Sequence, residues 1–500
     1  MSIRVRFAPS PTGALHIGGI RTALFNYLLA KKHGGTFILR IEDTDQGRYV
    51  EGAENYIVEA LKWCGIAPTE GIGFGNGAYG PYRQSERKAI YQQYALELVE
   101  KGKAYFAFDT PEQLEIMRQT DPQNHVAYGM HTRMNMINSL TLSRKEVAER
   151  LAAGEAHVIR LKIKENQNVK INDLIRGEVI VSTNELDDKV LMKADGMPTY
   201  HLANIVDDYL MKITHVIRGE EWLPSAPHHI LLYKAFGWEK EMPKFAHLPL
   251  ILKPDGKGKL SKRDGLKFGF PVFPLAWESV DGFREVGFDP KALLNFLALV
   301  GWNDGTDKEI FTMDELVDSF SLEKVNKSGA RFMYDKAKWF NQQYILKNSN
   351  DILAQQLKPF VDAKGYDVSM EYLTQVVGLM KERVVFLNDF LKTGYYCFEP
   401  VKTYDAANVL KKWKRERRPL YDYLNQLVET LNLNEPAAAE HQVKEWIQQN
   451  GLKVGEVLPV LRIALAGTMQ GPAVFDMMSV LGKTEVQKRL TAAFDYLDAH

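Results

Sequence analysis

Residues 4–30 read RVRFAPSPTGALHIGGIRTALFNYLLA, and the succession of patterns within this stretch decides what can surround it. Ile3, Val5 and Phe7 alternate with Arg4 and Arg6, the period of two of a half-buried strand, until two prolines and a glycine between Ala8 and Gly13 break the pattern. From Ile17 the apolar residues return at helical spacing, as Ile17, Ile20, Ala23, Leu24, Tyr27 and Leu28. Strand, tight loop and helix therefore follow one another, with His16, Gly18 and Gly19 at the start of the helix. A helix start offers unpaired backbone N–H groups and the positive end of the dipole, and glycine lets a phosphate approach the main chain closely. The stretch is a candidate phosphate seat, although it is neither a GxGxxG nor a GxxxxGK motif.

The same alternation continues outward. Thr36 to Ile41 (TFILRI) is the near-continuous apolar run of a buried parallel strand, and it ends in the polar Glu42-Asp43-Thr44-Asp45. Helical patterns follow over Glu51 to Trp63 and Arg87 to Lys101, on either side of a glycine-rich stretch from Gly71 to Gly80 that reads as a surface loop. After Ala104 the pattern changes to short β-like pieces, Val158 to Lys164 and Glu178 to Ser182, with one amphipathic helix from Ser143 to Ala153. This reads as an insertion. The α/β pattern then resumes, and the apolar strand Ile213 to Ile217 is closed by Arg218-Gly219-Glu220-Glu221-Trp222. Polar side chains again crowd the carboxyl end of a strand, where open α/β sheets bind ligands. The fold class expected is α/β, a doubly wound, Rossmann-like parallel-sheet domain with an α+β insertion.

Five hundred residues exceed one core and imply about three to five domains. Lys+Arg and Asp+Glu both number 63, so a nucleic-acid partner must be met by a local basic surface rather than a global field. Cys64 and Cys397 form no metal or disulfide pattern. The amino terminus has no apolar signal core, and no apolar run approaches the roughly 20 residues of a membrane span, so a cytoplasmic protein is expected.

A second element stands downstream, Lys253-Pro254-Asp255-Gly256-Lys257-Gly258-Lys259-Leu260-Ser261-Lys262-Arg263, a glycine-containing loop with lysines around a serine. His16-Ile17-Gly18-Gly19 resembles the HIGH signature of class I aminoacyl-tRNA synthetases, and Lys-Leu-Ser-Lys-Arg resembles their KMSKS loop, in the expected order. RVRFAPSPTGALHIGG, FILRIEDTD, GPYRQSER, HVIRLK, PTYHLANIVDD and HVIRGEEWLPSAPHH extend the likeness over nearly the whole chain. Together they resemble the bacterial-type glutamyl-tRNA synthetases. Gly19 departs from the signature, whose last position is a histidine.

That resemblance implies ATP-dependent ligation of L-glutamate to the 3′ end of tRNA(Glu) through a glutamyl-adenylate. It places His16, Gly18, Gly19, Glu221, Trp222, Lys259, Ser261 and Lys262 at ATP, with His16, Lys259 and Lys262 acting on the phosphates. It places Arg6, Ser10, Glu42, Tyr200, Asn204 and Arg218 around glutamate, the two arginines facing its two carboxylates and Glu42 its ammonium. Arginine suits this task because its fork binds a carboxylate bidentately. Both nucleophiles belong to the substrates, so no catalytic serine, cysteine or protein-held metal is required. Mg²⁺ is expected with ATP, since it bridges phosphate oxygens. Some members hold zinc in the insertion through cysteines; none lies between Ala104 and Asn184, so no zinc is expected.

The resemblance further implies a monomer whose insertion takes the tRNA acceptor end and whose helical final third takes the anticodon. The domains expected are 1–103 and 191–240 for the catalytic halves, 104–190 for the insertion, 241–332 for a stem-contact domain carrying the KLSKR loop, and 333–395 and 396–500 for two helical anticodon-binding domains. Arg383 is a candidate base contact. Lys411 to Arg418 (KKWKRERR) carries six basic residues and one acid, so Lys411, Lys412 and Trp413 are candidates for RNA backbone and base stacking as well as for a solvated helix face. Two other functions remain open: glutamate transfer to a modified tRNA base by a shortened paralogue, and a catalytically silent tRNA-binding protein. The long helical third counts against the first, and the intact His16, Lys259, Lys262, Arg6 and Arg218 against the second.

Overall fold

In a computed structural model, which describes residues 2–75, 77–119, 126–411 and 413–500, the opening stretch forms strand β1 (Arg4–Phe7) and helix α1 (Ile17–Lys32). β1 pairs in parallel with β2 (Thr36–Leu39), Arg4 opposite Thr36, and helix α2 (Ala53–Cys64) leads to β3 (Glu70–Gly71) on the far side of β2. After helix α3 (Lys88–Glu100) the inserted segment builds an antiparallel sheet from β4 (Ala104–Ala107), β5 (Val158–Leu161) and, beyond the hairpin β6 (Asn168–Asp173) and β7 (Gly177–Ser182), β8 (Val190–Met192). Its helix Arg144–Ala152 is closed by a capping box between Ser143 and Glu146.

Helix α4, used here for Tyr200–Leu210, leads into β9 (His215–Gly219), and helix α5 (Ala226–Phe236) leads into β10 (Lys244–Leu248), which is parallel to β9. The Thr214 N–H donates to the Arg4 carbonyl at 2.9 Å, which lays the start of β9 along the free edge of β1. The chain thus winds away from β1 in one direction and later returns on its other side. Ligands of doubly wound sheets bind at such a reversal, outside the carboxyl ends of the strands.

α1 is apolar on more than the predicted face: Phe25 and Leu29 are buried along with Ile17, Ile20, Ala23, Leu24 and Leu28. One side packs on β1, β2 and β9, and the other on the helices Pro290–Leu299 and Met313–Ser319, with Phe25 and Phe320 ring centroids 5.1 Å apart. A helix covered on both sides carries no polar face.

One boundary expectation changes. The hairpin β6–β7 lies within the expected insertion, yet β6 joins β10 in parallel, with Asp173 opposite Phe245, so the hairpin extends the catalytic sheet. Apolar Val169 and Ile171, alternating with exposed Asn168 and Lys170, put the buried face of β6 in the same core as Val216 and Phe245.

The glycine-containing KLSKR loop is a tight hairpin. Lys253 N–H donates to the Gly258 carbonyl and Leu260 N–H to that of Ile251, with Gly256 and Gly258 at positive φ in the turn. Buried Leu260 anchors it while Lys259, Ser261 and Lys262 stay exposed.

By contact density the chain divides into one unit of residues 1–285 and 290–336 and a second of 286–289 and 337–500. The second is built from helices around one hydrophobic core that runs from Ile345 to Leu497, so no separate core marks the expected division at 395/396. The described part of the basic run forms no continuous α-helix face: one α-helix ends at Leu410, Arg415–Arg417 make a single 3₁₀ turn, and the next α-helix begins at Arg418.

Candidate active site

His16 is the N-cap of α1. Its Nδ1 accepts the Gly18 N–H at 3.1 Å, which requires Nδ1 to be unprotonated and leaves the proton on Nε2. That Nε2–H is buried and has no hydrogen-bond partner among the described residues. Burial, then the nearby Lys259 and Lys262 ammonium groups, pull the imidazole down to about 4, so it is a neutral donor at ordinary pH.

His16 lines a cavity of about 460 Å³ together with Gly18, Gly19, Glu221, Lys259, Ser261 and Lys262. The two remote motifs therefore face one space. Lys262 Nζ lies 3.7 Å from where a Cβ on Gly13 would stand, across the Pro-rich turn. Lys259 Nζ is 2.6 Å from Glu221 Oε1, whereas no ion pair among the described residues involves Lys262. Ser261 is engaged with its own loop, its N–H and Oγ–H both donating to Asp264 Oδ2. Gly19 lines the cavity without a side chain, and a Cβ there would stand 2.5 Å from Leu15 Cδ1, so a histidine at this position would have to displace a buried leucine.

A second cavity, of about 420 Å³, shares Gly18, Gly19, Thr22, Gly219 and Glu221 with the first. Arg6, Ser10, Glu42, Tyr200, Asn204 and Arg218 all line it, and so does Trp222. Trp222, assigned to ATP by resemblance, thus sits on the side of the amino-acid residues, its ring 4.6 Å from that of Tyr200. Trp222 lies in the 3₁₀ turn Glu220–Ser225 that follows β9, and its ring rests against Tyr200 at the start of α4.

The two arginines differ in state. Arg6 makes a bidentate pair with buried Asp208, Nε to Oδ1 at 3.1 Å and Nη2 to Oδ2 at 3.3 Å. Asp208 also takes Arg40 Nη1 at 2.7 Å, and Arg40 Nη2 reaches Glu42 Oε1 at 3.1 Å, where Asn204 Nδ2 donates as well. Asp207 binds Arg87 at 2.7 Å and faces Arg40. Burial raises the Glu42 carboxyl against the pull of Arg40 and Arg6. Arg218, only 5% exposed, has no carboxylate partner among the described residues. It donates to Tyr200 Oη at 2.6 Å, His247 Nε2 at 3.0 Å and the Trp222 carbonyl at 3.3 Å, all neutral acceptors. A buried guanidinium held this way keeps its charge available for an anion.

Sequence reasoning missed Asp207, Asp208, Arg40 and Arg87, although two adjacent acids ending an apolar helical stretch (LANIVDD) were a usable signal. It also missed Arg21, buried beside the first cavity and donating to the Val300 and Pro249 carbonyls.

In the helical unit, Arg383 lines a further cavity of about 420 Å³ with Glu382, Asp476 and Ser479, and no ion pair among the described residues engages it. Trp413 is placed differently from the expectation of a stacking platform. Its half-buried ring packs on Tyr421 at 4.7 Å and Phe494 at 5.9 Å, two rings that stand 5.4 Å apart, and its Nε1–H donates to Asp498, so part of the ring and its polar edge are engaged within the helical unit. Arg417 and Arg418 are paired with Glu456, Asp422, Asp495 and Asp498. Lys411 is exposed, and Lys412 lies outside the described residues.

Residues 2–339 match the family model described as tRNA synthetases class I (E and Q), catalytic domain, and residues 352–494 match an anticodon binding domain. A glutamate–tRNA ligase of Phocaeicola vulgatus is 51% identical, covering 99% of both chains, and one of Flavobacterium psychrophilum is 53% identical, covering 98% of both. A crystal structure of a glutamate tRNA ligase from Elizabethkingia meningosepticum, in complex with its amino acid, superposes with a TM-score of 0.95 at 47% identity, covering 99% of this chain and 100% of that one. With both motifs on one cavity and the likeness running from end to end, the chain belongs to the class I tRNA synthetases, among the glutamate–tRNA ligases.

Proposed function

We propose that the two adjoining cavities are the nucleotide and amino-acid halves of one active site that activates L-glutamate with ATP and passes it to the 3′ end of tRNA(Glu). The observation that carries this reading is Arg218, buried and held only by neutral acceptors one cavity away from the His16 imidazole and the lysines. Arg218 takes the α-carboxylate of glutamate, Arg6 its side-chain carboxylate, and Glu42 with Asn204 its ammonium, while Ser10 and Tyr200 close the pocket. The α-carboxylate then attacks the α-phosphorus of ATP, and the tRNA hydroxyl attacks the anhydride. The protein supplies position and cationic stabilisation of the crowded phosphorus centre. His16 Nε2–H and the amides at Gly18 and Gly19 donate to phosphate oxygens, and Lys262, with Lys259 once released from Glu221, meets the charge that grows on pyrophosphate.

No group of three metal-ligating side chains occurs among the described residues, and Glu221 is the one carboxylate lining the nucleotide cavity. Mg²⁺ is proposed to enter with ATP, where it would neutralise phosphate charge. No zinc is proposed, because the inserted segment has no cysteine between Ala104 and Asn184. One zinc per chain in metal analysis overturns this.

Exposed Lys411, with Lys412 next to it in sequence, is proposed to meet the RNA backbone, and Arg383, with its cavity, an anticodon base. No helix among the described residues is long and apolar enough to cross a membrane, and a monomer in the cytoplasm is proposed. Pyrophosphate exchange with each amino acid, with and without tRNA, tests the whole reading. Exchange with glutamate that requires tRNA(Glu) supports it; exchange without tRNA points to base modification, and none at all to a silent binder.

A further inference from the structure

Arg218 is positioned by a pair of residues to which no role has been given so far. Its Nε donates to His247 Nε2 at 3.0 Å, and the other nitrogen of that ring, Nδ1, is 2.6 Å from Asp173 Oδ2. An arginine can only donate, so His247 Nε2 is the bare nitrogen and the proton sits on Nδ1, facing Asp173. All three side chains are buried.

Asp173 is itself immobilised. It ends β6, its carboxylate takes the N–H groups of Ile175 and Arg176 at 2.9 and 2.8 Å, and it also takes the backbone N–H of His247 at 3.1 Å. The imidazole therefore has one tautomer and one orientation, and its acceptor nitrogen points at the guanidinium. A carboxylate placed directly on Arg218 would hold it as firmly and cancel its charge, which is the state of Arg6 on Asp208. Separating the carboxylate from the guanidinium by a neutral ring keeps the geometry and spares the charge.

We infer that Asp173 and His247 are positioning residues for the amino-acid site, holding Arg218 in the orientation that receives the substrate carboxylate while leaving its charge unpaired. The inference rests on the assignment of Arg218 to that carboxylate. It also gives the β6–β7 hairpin, which extends from the inserted segment, a part in forming the pocket.

Two variants of His247 separate positioning from mere packing. In His247→Gln the side-chain oxygen stands where Nε2 was and still accepts from Arg218, but the Asp173 contact is lost. In His247→Asn the amide NH₂ stands where Nδ1 was and still donates to Asp173, but Arg218 loses its acceptor. The measurement is aminoacylation of tRNA(Glu), reading KM for glutamate and for ATP separately, with thermal melting to confirm folding. His247→Asn is expected to raise KM for glutamate about tenfold, as loss of a hydrogen bond to a charged group does. KM for ATP should stay within about twofold, and His247→Gln should return KM for glutamate close to the parent value. A Gln variant as impaired as Asn, or worse, overturns the inference, and so does a parallel rise in both KM values.

Arg218→Ala serves as the control. If it leaves KM for glutamate unchanged, the assignment of the pocket falls and the positioning role with it. If it raises KM about a hundredfold while His247→Asn does not move it, the positioning role alone falls.

Discussion

Around Arg6 and Arg218 the amino-acid cavity is built from buried side chains whose partners are settled, whereas across Gly18 and Gly19 the nucleotide cavity is lined by exposed lysines on a hairpin. Arg6, Arg40 and Arg87 meet Asp207, Asp208 and Glu42 in a buried cluster in which three guanidinium groups balance three carboxylates. Lys262 has no ion-pair partner among the described residues, and Lys259 rests on the half-exposed Glu221. The difference suits the chemistry proposed for each half. A carboxylate and an ammonium of fixed spacing are recognised by a rigid frame, in which a missing partner is costly. Charge that appears only as pyrophosphate leaves is met best by groups free to close on it late.

The largest effect expected is from breaking the rigid side. Asp208→Asn leaves Arg6 and Arg40 buried around a neutral amide, and removing one member of a buried ion pair costs about 3–5 kcal/mol. Denaturant unfolding should show a loss of that order, with glutamate binding lost as well; a loss below about 1 kcal/mol would mean that the cluster is wet and the contrast between the cavities unfounded. On the other side, Lys262→Ala should leave stability unchanged and slow activation about 10²- to 10³-fold at saturating ATP, with ATP affinity nearly intact. Equal losses in rate and affinity, read by single-turnover kinetics, would make Lys262 a ground-state ligand.

The smallest effect separates the cavities by pH. His16 has its folded value depressed to about 4 from the ordinary 6.5, so between these values the unfolded chain binds a proton that the folded chain does not. Stability must then fall as pH drops through this window, by at most about 1.4 kcal/mol per pH unit for each such group. His201, lowered to about 3 chiefly by burial, adds a slope of the same sign. Melting temperatures between pH 4 and 7 should therefore decline less steeply in His16→Asn than in the parent; an unchanged slope would place the imidazole in water.

Much of the site was legible because its signals are local. The period change from Val5 and Phe7 to Ile17 and Ile20 marks strand and helix, and His16, Gly18 and Gly19 follow from their place at the junction. Arg218 was readable from its position at the end of an apolar strand. The buried charge cluster was not, because Arg6 and Asp208 are 202 positions apart and Arg87 and Asp207 120. Nothing in a stretch of sequence states which distant acid a base will meet. Trp413 shows how a local signal is ambiguous: a tryptophan among cations suits RNA, and the same ring also packs on Tyr421 and Phe494.

The amino-acid order by itself determined the alternation of strands and helices and the helical final third, since periodicity is a property of neighbours along the chain, and the resemblance of its motifs to a known family implied which groups could meet ATP and glutamate. Only tertiary structure decided that Arg6 is neutralised while Arg218 is not, that Asp173 reaches the pocket through His247, and that Lys262 faces His16. These depend on which strands lie side by side, and pairing between remote segments is set by the packing of the whole core.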